Sequence, residues 1–181
     1  HTEVILNVWI STVLKKNLYN LDVTSHDSKI QCRSTTKRLE SQLRDDGYTS
    51  LGIPGGTTTL MAAMMTASPE VVSMLLESGA NVESVDVMGN DGFTLASVFG
   101  RSKNLQCWLE RVKDWDLNRQ NTVLGGCALG NAVYMGAKKL ETVKVVLDAG
   151  ASLDYRTHSG SSVLTNSVSN EDSDPHVVRL I

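Results

Sequence analysis

The sequence predicts an all-α protein built as a solenoid of helix-turn-helix repeats, on two internal echoes and one pattern of glycines. Glu77-Ser-Gly-Ala-Asn-Val-Glu83 returns as Asp148-Ala-Gly-Ala-Ser-Leu-Asp154, 71 residues later. Ser68-Pro-Glu-Val-Val-Ser-Met-Leu75 returns as Asp174-Pro-His-Val-Val-Arg-Leu-Ile181, 106 residues later. These offsets are two and three copies of a period of about 35 residues, the length of a two-helix repeat.

The second echo marks helix starts. Ser68 and Asp174 can accept bonds from the free amides of a first turn, and Pro69 and Pro175 stand at the first helical position, where a missing N–H costs nothing. Val71, Val72, Met74, Leu75 and Leu76 then supply an apolar stripe, as do Val143, Val145, Val146 and Leu147. Gly79 and Gly150 are placed to stop these helices.

The unit from 53 to 85 contains Gly56-Thr-Thr-Thr-Leu-Met-Ala-Ala63, then Val71-Val72, then the close Leu75-Leu-Glu-Ser-Gly-Ala-Asn-Val82. In this it resembles the ankyrin repeat, which opens on Gly-x-Thr-Pro-Leu-His-x-Ala and closes on a Gly-Ala-Asp-Val-Asn-like turn. The resemblance implies an ankyrin-type solenoid with short β-turn or hairpin connections.

It extends to a unit at 86–120, with the turn Asp86-Val-Met-Gly89 and helix alanine Ala96. There Asp91 replaces the opening threonine and Gly92 the proline, and Asp can still cap a helix. The second helix of this unit, Leu105 to Arg111, lacks a terminal glycine and runs into Trp115-Asp-Leu-Asn118. A third unit at 121–156 carries Gly125-Gly-Cys-Ala-Leu-Gly-Asn-Ala132, with Gly136 ending its first helix. A fourth, truncated, spans 157–181 from Thr157-His-Ser-Gly160 through Ser162-Val-Leu164. Extra residues between the helices, Ala137-Lys138 and Asp172-Ser173, mark these two as diverged. Ile181 falls inside the predicted second helix, which predicts a fragment of a longer protein.

Residues 1–52 do not share the frame. Leu6, Ile10, Val13, Leu14, Leu18 and Leu21 form one helical stripe, and Ser34 could cap a second helix with Leu39 and Leu43 that ends at Gly47. A degenerate repeat, a cap and an unrelated helical pair all remain open.

Composition narrows the function. The 181 residues carry a formal charge of −3, which gives no general attraction for nucleic acid or an anionic membrane. The basic cluster Arg33, Lys37, Arg38 and Arg44 is broken by Glu40 and followed by Asp45 and Asp46, so it reads as a solvated helix face. Val4 to Leu14 is too short to span a bilayer and reads as a core helix. Cys32, Cys107 and Cys127 are odd in number and far apart, which points to a reducing, intracellular and cytoplasmic setting.

No catalytic chemistry stands out. His1, His26, His158 and His176 share no metal spacing. Asp45-Asp46, and Glu171-Asp172 with Asp174, lack the pattern of a calcium loop and read as solvated acids. Gly55-Gly56 and Gly125-Gly126 lack the Lys-Ser or Lys-Thr of a phosphate loop and read as turns. Cys127 opens a predicted helix, a place that lowers thiol pKa, but without a partner base it reads as a small buried residue. The expectation is no enzyme, no metal or cofactor and no small-molecule substrate.

The ankyrin resemblance implies instead a module that binds an as yet unidentified protein through its concave face and turn tips. It selects the ends of the first helices: Met65 and Thr66, Val98 and Phe99, Tyr134 and Met135, Ser169 and Asn170. Met65, Phe99, Tyr134 and Met135 would line the groove, since Met and aromatic side chains are enriched at interface centres. Alternatively they fold back under the turns. Trp108 reads as core and Trp115 as a cover for the lengthened turn, with either, and Trp115 in particular, a candidate partner anchor. A second functional reading is a regulatory segment of a larger enzyme or channel whose active part lies elsewhere; a small enzyme in its own right would need a pocket of convergent ionisable groups.

Overall fold

Four helix pairs stack in two rows in the computed structural model, which describes residues 56–134, 140–169 and 174–181. The helices read in residues 1–52 and the stop at Gly136 lie outside the described residues. The pairs are α1 (Thr59–Thr66) with α2 (Pro69–Glu77), α3 (Gly92–Val98) with α4 (Ser102–Arg111), α5 (Ala128–Tyr134) with α6 (Leu140–Asp148), and α7 (Val163–Val168) with α8 (Pro175–Val178). First helices form one row, α1 on α3 on α5 on α7, and second helices the other, α2 on α4 on α6 on α8. Among the described residues the only extended pairing is an isolated antiparallel bridge between Arg156 and Ser162. The predicted all-α ankyrin-type solenoid is therefore the fold observed.

One device starts all four first helices, at intervals of about 35 residues. Thr58 Oγ1 accepts from the Met61 amide at 3.3 Å, Asp91 Oδ1 from Thr94 at 2.7 Å and Ser162 Oγ from Thr165 at 3.1 Å. In the third pair Cys127 takes this place, its Sγ accepting from the Gly130 amide at 3.5 Å. Each cap occupies an amide that the first turn leaves without an intrahelical partner.

The second helices depart from expectation at one point. Asp174 caps α8 by accepting from the His176 amide at 2.8 Å, but the Ser68 side chain makes no capping bond on α2. Its hydroxyl instead serves Glu70, whose carboxyl it holds below the ordinary value. Pro69 and Pro175 both open their helices as predicted. Gly79 ends α2 in the left-handed region at φ 78°, with Ala80 N–H on Leu75 O and Gly79 N–H on Leu76 O. The unit that lacks this glycine uses Asp114, which adopts φ 57° in its stead. Aspartate tolerates that conformation better than most residues.

Small residues in the first row admit large ones from neighbouring elements. A Cβ at Gly92 would lie 3.2 Å from Trp108 Cζ3 and 3.3 Å from Met64 Cγ, so the ring of α4 and the thioether of α1 take the room a proline would fill. A Cβ at Gly130, in the middle of α5, would lie 2.4 Å from Tyr155 Cε1. Helix propensity alone makes Gly130→Ala stabilising by about 1 kcal/mol. The Tyr155 ring reverses the sign: the substitution is expected to destabilise by about 1–3 kcal/mol, read as a lowered urea midpoint. An unchanged or raised midpoint would show that the ring yields freely.

Candidate partner-binding surface

The ends of the first helices divide into covered and exposed positions. Met65 is only 3% exposed and belongs to the core, so it does not line a groove. The next pair closes the end of α1. Arg101 Nη2 donates to the Thr66 and Ala67 carbonyls at 3.1 and 2.8 Å, and the buried Asn104 Nδ2 donates to Met64 and Ala67 carbonyls, each at 3.0 Å. Together they satisfy the carbonyls that a helix C-terminus leaves open. Thr66 turns its hydroxyl inward to Ala62 O at 2.9 Å. Val98 and Phe99 are half-buried, Phe99 against the core. Tyr134 is 48% exposed. Met135 and Asn170 lie outside the described residues, while Ser169 is exposed.

Trp108 is fully buried, its ring tilted against Phe93 at 6.2 Å. Trp115 stands edge-on to it at 5.0 Å, half-buried, with the Arg119 guanidinium 5.4 Å from its ring centre. It thus covers the lengthened turn after α4. Arg119 also pairs with Glu83 at 2.6 Å, donates to the Glu83 carbonyl, and approaches the buried Asp91 carboxylate at 3.8 Å. One arginine so ties the connection after α2 and the cap of α3 to the connection after α4.

The turn tips between pairs stack on one another. Within the tip at 86–90, Asp86 Oδ1 accepts from the Met88 and Asn90 amides at 2.8 and 2.9 Å. In the next, Asn121 Oδ1 accepts from Leu124 at 2.9 Å, and Asn121 Nδ2 reaches back to Asn90 Oδ1 at 3.0 Å. The tip at 157–161 joins through His158 N–H on Leu124 O at 3.0 Å and Gln120 Nε2 on Arg156 O at 2.6 Å. Gly89 and Gly125, at φ 80° and 69°, fit where a Cβ would strike Thr122 and His158. Both therefore need glycine for conformation and for space.

On these braced tips Val87, Val123 and Leu124 are 66%, 48% and 61% exposed. They are not among the helix-end residues expected from the sequence. The available signal was four apolar residues, Val87, Met88, Val123 and Leu124, inside Asp86-Val-Met-Gly89 and Asn121-Thr-Val-Leu-Gly125, where turns ordinarily carry polar ones.

The ionisable groups follow burial. Cys127 has its thiol pushed up by desolvation, against the helix-start amides that draw it down, so the position does not activate it. Cys107 is pushed up for the same reason, and both are free thiols. No group of three or more His, Cys, Asp or Glu among the described residues could hold a metal ion. No described helix is long and apolar enough to cross a membrane.

The ankyrin repeat family model matches residues 55–87, the stretch holding α1, α2 and the turn into Val87. This chain carries an ankyrin repeat at residues 55–87. It is 32% identical over 110 residues to the phosphocholine transferase AnkX of Legionella pneumophila, covering 59% of this chain and 11% of that protein. It is 35% identical over 100 residues to the ankyrin repeat and SAM domain-containing protein 6 of Rattus norvegicus, covering 54% of this chain and 11% of that one. The chain thus spans about a tenth of the length of these relatives.

Asp91 gives this surface a pH signature. Desolvation raises its carboxyl above the ordinary value, outweighing the Thr94 bonds and the attraction of Arg119. The folded state therefore holds that proton more tightly than the unfolded one. The contribution of Asp91 to stability is greatest below the unfolded carboxylate pKa and declines as pH rises through the folded value. Asp91→Asn keeps an acceptor for Thr94, so its stability relative to wild type should increase as pH is raised from about 4 to 8. Paired urea titrations across that range check it; a difference that moves the opposite way would contradict the assignment.

Proposed function

We propose that this chain binds a partner protein through its turn tips and the exposed ends of its first helices, with no chemistry of its own. Ankyrin repeats as a class are protein-interaction modules. The observation that carries the reading is the apolar set Val87, Val123 and Leu124 on two turns held together by Asn121 and Gly89. Isolated apolar residues on a surface are ordinary, but a cluster on a rigid scaffold is the mark of an interface. Bracing lowers the entropy lost when a partner docks. Tyr134, at the end of α5, adds an aromatic of the kind enriched at such centres. We take 53–85, 86–120, 121–156 and 157–181 as the repeat units that present this surface, and residues 1–52 as a separate N-terminal segment.

A second reading, that these repeats serve as the recognition segment of a larger enzyme, is favoured by the match to a protein named as a transferase. Both readings use the same surface and differ in what the rest of the polypeptide does.

A photo-crosslinking residue placed at Val87 or Leu124 should capture a defined partner, while one at the exposed Lys144 on α6 should not. The double variant V87D/L124D should weaken that partner at least about tenfold with an unchanged circular dichroism spectrum. Equal capture from position 144, or full affinity in the double variant, would remove the tips from the interface.

A further inference from the structure

Every first helix places its second and sixth residues in equivalent positions, and the burial of those residues shows what the stack does with them. In α1 they are Leu60 and Met64, 2% and 0% exposed; in α3, Phe93 and Ser97, 1% and 0%; in α5, Leu129 and Val133, 0% and 1%. In α7 the same two positions are Leu164 and Val168, 57% and 58% exposed. The second row agrees. Its fourth residues, Val72, Leu105 and Val143, are fully buried in α2, α4 and α6, whereas Val178 of α8 is only half-buried.

We propose that the open face of α7 and α8 is a docking surface for one further two-helix repeat of the same kind, seated in register on Leu164 and Val168. The occupant is named by continuity: α1, α3 and α5 are each covered by the first helix of the pair that follows. The side chains agree with it. A helix meant to end a stack in water carries polar residues on its outer side, but α7 keeps an apolar pair one turn apart at the two positions buried in its predecessors. The inference concerns the end of the stack and is independent of the turn-tip surface.

The chain itself supplies a test piece. Ile181 corresponds to Leu75 in the echo of the second helices, so residues 76–111 joined directly after Ile181 complete that helix and add a turn and a second pair. In the extended chain the thermal midpoint should rise, and amide exchange in α7 should slow at least about tenfold. L164K/V168K in the extended chain should return both to the values of the original chain. The same substitutions in the original chain should leave its midpoint unchanged, since those side chains already meet water; this separates loss of docking from loss of folding. No rise on extension, or an equal rise with and without the lysines, would overturn the proposal. So would a concentration-dependent dimer of the original chain in sedimentation that L164K/V168K abolishes, because the occupant would then be a second copy.

Discussion

Each helix pair is too small to bury its own apolar side, and every other feature of the chain follows from that shortage. Leu60, Phe93 and Leu129 lie on helices of seven or eight residues, lengths at which an isolated helix has no stability in water. They become buried only because the next pair covers them. Stability is therefore shared along the rows rather than held within a unit, and it propagates from neighbour to neighbour.

The contacts that hold neighbours together are of two kinds, and they sit at opposite ends of the first helices. At the C-terminal end of α1, Arg101 and Asn104 answer its open carbonyls from the next pair. Toward the N-terminal ends, the turn tips answer one another through Asn121 and Asn90, then His158 and Leu124. The first kind seals the end of α1. The second leaves the outer side of each tip clear, which is why Val87 and Leu124 stay exposed.

Asp91 and Arg119 show how divergence was accommodated. The α4 connection is longer than its counterparts, lacks a glycine and carries Trp115 in the register position that Ala80 and Ala151 hold in the neighbouring units. Asp114 supplies the left-handed turn, Trp115 fills space beside Trp108, and Arg119 covers Trp115 while engaging Glu83. The buried Asp91 is the cost, a carboxylate whose charged form is disfavoured by its surroundings but which still caps α3.

The Ser68-Pro69 and Asp174-Pro175 echo, the glycines at 79 and 150, and the Asp91 cap made the helix starts, stops and period legible, because each acts on its own first or last turn. Local chemistry suffices for such signals. The burial of Met65 and the failure of Ser68 to cap α2 were not legible, whereas Cys127 was, as a small buried residue. The first depends on how the pairs pack, and the second on a close neighbour, since the Glu70 carboxylate competes for the Ser68 hydroxyl. The sequence by itself determined that this protein would be a stack of two-helix repeats, since periodicity and capping are written residue by residue. Only the tertiary structure decided which apolar side chains face water, because exposure is a property of what the neighbouring pair leaves uncovered.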